Sequence, residues 1–179
     1  MEKNHAVINT SSCVGMNVSA LNSRGYHNAD LDNGVLVTLV KMHQDAQKNI
    51  EGFEWEVKPA TETDLGLWIV KTPEVGTTLE QQLYRDPRYF YNAKGEPMSI
   101  MKLVPGCDYI EFEANAFSGK TLPDGNSNKF AKVTAGGKLV AAASAPAKGG
   151  HFEFVGKHYI TIGAEDVPSV IMRYVEKLA

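Results

Sequence analysis

The stretch Ala29 to Met42, ADLDNGVLVTLVKM, constrains this chain most. It opens on Asp32-Asn33-Gly34, a turn signal in which Asn and Gly both accept φ > 0 at low cost. An apolar run follows at once through Val35, Leu36, Val37, Leu39, Val40 and Met42. Three valines make it stiff at χ1 and suited to a pleated surface. Val35, Val37 and Leu39 fall on one face; Leu36, Thr38, Val40 and Met42 fall on the other. Both faces are mostly apolar, so the reading is a central strand buried on both sides. The run is too short to span a membrane as a helix.

Strand-like segments recur along the rest of the chain. Phe53, Trp55 and Val57 alternate with Glu54, Glu56 and Lys58, and LGLWIVKT at 65–72 stops at Pro73. MSIMKLV at 98–104 and DYIEFEA at 108–114 are the next two, the second with Ile110 and Phe112 on one face and Tyr109, Glu111 and Glu113 on the other. Gly136-Gly137 joins strands at 129–133 and 138–143, and 152–162 suggests a hairpin turning near Gly156. Val167 to Val175 fits a helix or a strand, and the ending VEKLA leans it to helix. Thr77 to Tyr84 fits a short helix. These spacings predict a mainly β fold: a single β-barrel or β-sandwich domain with little helix. Its core is expected to hold Val35, Val37, Leu39, Leu67, Ile69, Ile100, Leu103, Ile110 and Phe112.

Residues 1–28 differ from the remainder, 29–179. Ser12 to Asn28 is rich in Gly, Asn and Ser and shows no period, which is unusual inside a compact domain. The expectation is an extended N-terminal arm, with Val7, Ile8 and Met16 offered to a partner, or alternatively a loose terminus. The second candidate surface is Tyr84 to Tyr91. Tyr84, Tyr89, Phe90, Tyr91, Arg85 and Arg88 crowd into eight residues, a composition typical of protein interfaces. The competing reading makes Tyr89, Phe90 and Tyr91 a plug at one end of a barrel.

Chemistry-bearing motifs fail on spacing. Ser118-Gly119-Lys120-Thr121 has the end of a phosphate loop, but Ala114 stands where its first glycine belongs and Pro123 prevents a helix start. His5, His27, His43, His151 and His158 match no zinc pattern, although His151 and His158 could meet across a hairpin. Asp30 with Asp32, and Glu111 with Glu113, read as solvated strand faces. Cys13 and Cys107 read as two free thiols, and no secretory signal opens the chain. The net charge of −3, with dispersed Lys and Arg, gives no general affinity for nucleic acid or an anionic membrane. The expectation is no catalytic residues, no cofactor and no metal.

Several segments, taken in order, resemble a known family. Leu31-x-Asn33-Gly34 leads into the valine-rich strand; Thr72-Pro73-Glu74, Phe90-x-Asn92-x-x-Gly95 and Gly106 to Asp108 with Glu113-Ala114 follow. This order is similar to that of small proteins of tailed bacteriophages encoded beside the major capsid protein, over about residues 29 to 119. Cys107 intrudes between Gly106 and the Asp, and Asn115 stands where an acidic residue is expected. The resemblance implies a non-enzymatic virion structural protein. It would decorate the capsid by binding the major capsid protein lattice, as a homo-oligomer on the capsid surface, after assembly in the host cytoplasm. A tail or connector component, a small-ligand-binding β-barrel and an unrecognised enzyme are the alternatives.

Overall fold

The computed structural model describes residues 3–45, 47–75, 79 and 86–178. Among the described residues eleven strands run in chain order: β1 (Ile8–Ser12), β2 (Asn22–Tyr26), β3 (Leu36–Gln44), β4 (Ile50–Pro59), β5 (Trp68–Val70), β6 (Met98–Lys102), β7 (Tyr109–Glu113), β8 (Phe130–Val133), β9 (Leu139–Ala142), β10 (Gly149–Ile162) and β11 (Glu165–Lys177). They form a closed five-stranded barrel, β2-β4-β3-β5-β6, and a six-stranded sheet, β1-β7-β11-β10-β8-β9. The mainly β fold is therefore as the spacing predicts. The segment from Val167 to Val175 is strand, not helix: it pairs with β10 along its length and with β7 at Ser169–Arg173. Tertiary pairing outweighs the helical lean of its last residues.

Side-chain alternation explains how the two sheets meet. Val35, Val37, Val57, Val70, Met98 and Ile100 pack together inside the barrel, with Leu39, Trp55 and Trp68 against them. The intervening residues Leu36, Ile69 and Met101 point outward and join Ile110, Phe112, Phe152, Val170, Met172 and Tyr174 from the six-stranded sheet. One barrel wall is thus buried on both faces, which is what a doubly apolar strand requires. For β3 this holds only from Val35 to Val37. Beyond Val37 it has no further pairs with β5, and Val40 is exposed. β3 stays beside β4 through Met42, where β4 still pairs with β2, and only their ends, His43 to Gln44 and Ile50 to Phe53, form a two-stranded ribbon.

The N-terminus is not a separate arm. β1 pairs with β7 at the edge of the six-stranded sheet. β2 pairs parallel to β4 and antiparallel to β6, closing the barrel. Ala6, Val7 and Cys13 are buried. The absence of period in 12–28 has a physical reason: short 3₁₀ turns at Val14–Met16 and Ser19–Leu21 separate two five-residue strands. The helix expected at 77–84 lies, apart from Leu79, outside the described residues.

The hairpin of β10 and β11 turns at Gly163-Ala164, not near Gly156, which sits at a shift in the pairing register. His151 and His158 consequently lie on one strand and do not meet. Cys13 and Cys107 are free thiols, the first buried and the second exposed. Burial pushes the Cys13 thiol up to about 12.

Candidate partner-binding surfaces

The residues carrying the family resemblance converge as buried polar links. Asn33 and Asn92 are both buried. Asn33 donates to the Thr72 carbonyl (2.8 Å) and accepts from the Thr72 N–H (3.0 Å), so a side-chain amide imitates a strand pair. Asn92 donates to the Leu31 carbonyl (3.0 Å) and to Asn33 Oδ1 (3.3 Å), and Thr72 Oγ1 donates to Asn92. Backbone bonds between Leu31 and Asn92 complete the junction. Gly34 takes φ +84, and a Cβ there would stand 2.8 Å from Ile8 Cγ2. Asp108 is fully buried, accepting from the Val14 N–H (2.8 Å) and the Val104 N–H (2.7 Å). Glu113 accepts from Asn115 N–H and Nδ2, each at 3.0 Å, and burial raises its pKa above the ordinary carboxylate range. The Asn115 departure is thereby accommodated: its amide supplies the donor that Glu113 uses.

Of the carboxylates read as solvated faces, Asp30 is exposed, whereas Asp32, Glu111 and Glu113 are covered. Glu111 is buried, and its Oε1 accepts from Ser169 Oγ (2.5 Å) and meets His158 Nδ1 (2.7 Å), while Oε2 accepts from Asn9 (3.2 Å). Asp32 lies between His5 Nδ1 (2.6 Å) and Lys138 Nζ (2.9 Å). Sequence alternation places such groups on one face but cannot reveal that β1, β10 and the N-terminal segment cover it.

The expected partner-binding residues divide. Val7 is 4% exposed and Phe90 4% exposed, so neither offers itself to a partner; both are corrections to the sequence reading. Ile8 is half-buried, and Met16 is 48% exposed. The two are brought together along a groove of about 240 Å³ that also includes Lys71, Thr72 and Pro73. Met16 Sδ meets Lys71 Nζ at 3.2 Å. Tyr84 and Arg85 lie outside the described residues. Tyr89 and Tyr91 are half-buried, and Tyr91 stacks on His5 with centroids 5.0 Å apart.

Arg88 is not a free anchor. Its guanidinium grips Asp86 through Nε (3.0 and 3.2 Å) and Nη2 (2.7 Å) and reaches Glu165 at 2.6 Å. Lys3 joins at 3.1 Å from Asp86 and 3.6 Å from Glu165. The Arg88 contact holds the Asp86 carboxyl well below the usual range. This cluster ties the tip of the β10–β11 hairpin, where Glu165 sits, to the segment before Phe90. An Asp two residues before the Arg, capping the 3₁₀ turn Pro87–Tyr89, was the available signal.

Sequence reasoning missed the β3–β4 ribbon as a surface. Ile50 and Phe53 are exposed there, Phe53 at 78%, and Val40 is exposed on the neighbouring part of β3. Phe53 takes φ +54 directly after Gly52 at φ +57, a left-handed conformation that is costly for a bulky residue.

Among the described residues no helix is long and apolar enough to cross a membrane, and no three His, Cys, Asp or Glu side chains are grouped to hold a metal ion. The barrel interior is filled by the side chains named above. Comparison with protein-family models, curated proteins and solved structures gives no match.

Proposed function

We propose that this chain is a non-enzymatic virion structural protein of a tailed bacteriophage, decorating the head by binding the major capsid protein lattice. The observation that carries the reading is the convergence of the ordered motifs. Leu31, Asn33, Thr72 and Asn92 meet in one junction, and Asp108 and Glu113 bind backbone N–H groups in the next loops. Motif residues that serve as structural links fit a shared scaffold better than a shared reaction. The exposed apolar side chains of the β3–β4 ribbon and the Ile8–Met16 groove supply contact surface of the kind a lattice-bound protein needs. Mass spectrometry of gradient-purified, salt-washed particles tests the reading. The chain is expected in stoichiometric amount beside the major capsid protein; its absence from washed particles counts against the proposal.

A further inference from the structure

The two edges of the projecting β10–β11 hairpin are unequal. β8 pairs with β10 only from His151 to Glu153, and the Phe154 N–H closes on the Lys129 carbonyl at 2.8 Å. From Val155 to Ile162 the outer edge of β10 has no backbone partner among the described residues. On the opposite side, β7 pairs with β11 only from Ser169 onward. There the unpaired stretch carries Pro168, which has no N–H to give, and the acidic Glu165 and Asp166. Proline and charge are the usual devices that blunt a sheet edge. The β11 edge has both; the β10 edge has no proline and one charged side chain, Lys157, beside His158, Tyr159, Ile160 and Thr161, with Tyr159 61% exposed. The Arg88–Glu165 contact holds the hairpin tip, so this edge is already ordered and pairing costs little further entropy.

We infer that the β10 edge pairs with the β10 edge of a second copy, antiparallel and two-fold symmetric about Tyr159. In that register Lys157 stands opposite Thr161 of the second copy and His158 opposite Ile160, with no like charges face to face. Thr161 already donates to Asp166 across the hairpin at 2.8 Å. Pairing in this register would bring Lys157, which makes no ion pair among the described residues and shares a groove with Asp124 of its own chain, onto the same face as Asp166 of the second copy. The two tyrosines meet at the axis as a cross-strand aromatic pair. Self-complementarity of charge is what selects a second copy as the occupant. A strand pair of this length is small beside a standard interface of about 1,600 Å², so the dimer is weak alone. This inference does not rest on the capsid reading, and its test involves no capsid.

Trapping the axis tests it. In a Cys107→Ser background, Tyr159→Cys places two thiols directly opposite, at a Cα separation of about 4.5–5.5 Å, within disulfide reach. Mild oxidation should yield disulfide-linked dimer at least about tenfold faster than for Lys94→Cys, an exposed control on the barrel loop. Sedimentation velocity of the uncrosslinked chain supplies the second readout. Lys157→Glu or Asp166→Lys should each weaken association, and the double variant should restore it. Circular dichroism melts confirm that each variant is folded. Crosslinking of Tyr159→Cys no faster than the control, or failure of the charge exchange to restore association, overturns the inference.

Discussion

Gly137 shows how one residue joins the two sheets. It takes φ +74 at the tip of the β8–β9 hairpin, its carbonyl accepts the Leu36 N–H at 2.9 Å, and an added Cβ would lie 2.3 Å from the Leu36 carbonyl oxygen. Gly137→Ala must move backbone and hold a strained φ at once, so a loss of about 2 kcal/mol or more is predicted from denaturant melts. Val37 is fully buried inside the barrel among Val57, Val70 and Ile100. Val37→Asp places a charge there with no partner, and the expected result is an unfolded chain without a cooperative melt. His151 is 3% exposed, and burial lowers its pKa. Its neutral form belongs to the folded state, so the stability it contributes is present above about pH 6.5 and is lost as pH falls through that value. Melting temperature between pH 7.5 and 5 should fall more for the parent than for His151→Gln.

At the scale of elements, residues 8–12 and 22–26 illustrate what a sequence hides. Neither strand has the apolar alternation that marks a half-buried strand. They are held by pairing and by Gly25, where a Cβ would come within 3.0 Å of Ile100. Propensity carries little signal for strands whose backbone, more than their side chains, does the joining. An arm that binds and does not fold would leave a native core on deletion. Because β2 closes the barrel, deletion of residues 1–28 is instead predicted to abolish the cooperative melt and the native β-sheet circular dichroism. The Lys3–Asp86–Arg88–Glu165 cluster acts between elements in the same way. The Asp86 pKa is depressed in the folded state, mainly by Arg88. Its contribution is present above about pH 4 and lost as pH falls below it. Arg88→Ala is therefore expected to flatten the acid limb of the stability profile while loosening the hairpin tip, which hydrogen exchange at residues 160–168 would report.

For the molecule as a whole, the sequence made the apolar strands legible because β3, β5, β6 and β7 each carry side chains that must be buried. Val35, Val37, Leu67, Ile69, Ile100, Leu103, Ile110 and Phe112 are all in the core, and Leu39 is partly buried against it. The partition into a barrel and an open sheet was not legible. It depends on which outward face of each strand meets the other layer, and alternation alone does not name the partner. Surface residues were the least legible: Val7 and Phe90 are buried, and Arg88 is satisfied within the chain. The exposed apolar side chains lie instead on the β3–β4 ribbon and beside the Ile8–Met16 groove. The direct test of the capsid reading is cosedimentation of the purified chain with heads that lack it, titrated to saturation. The account predicts saturable binding at a fixed ratio to the major capsid protein, weakened at least about tenfold by Phe53→Asp in a folded variant. A chain that remains in the supernatant at every concentration would contradict it.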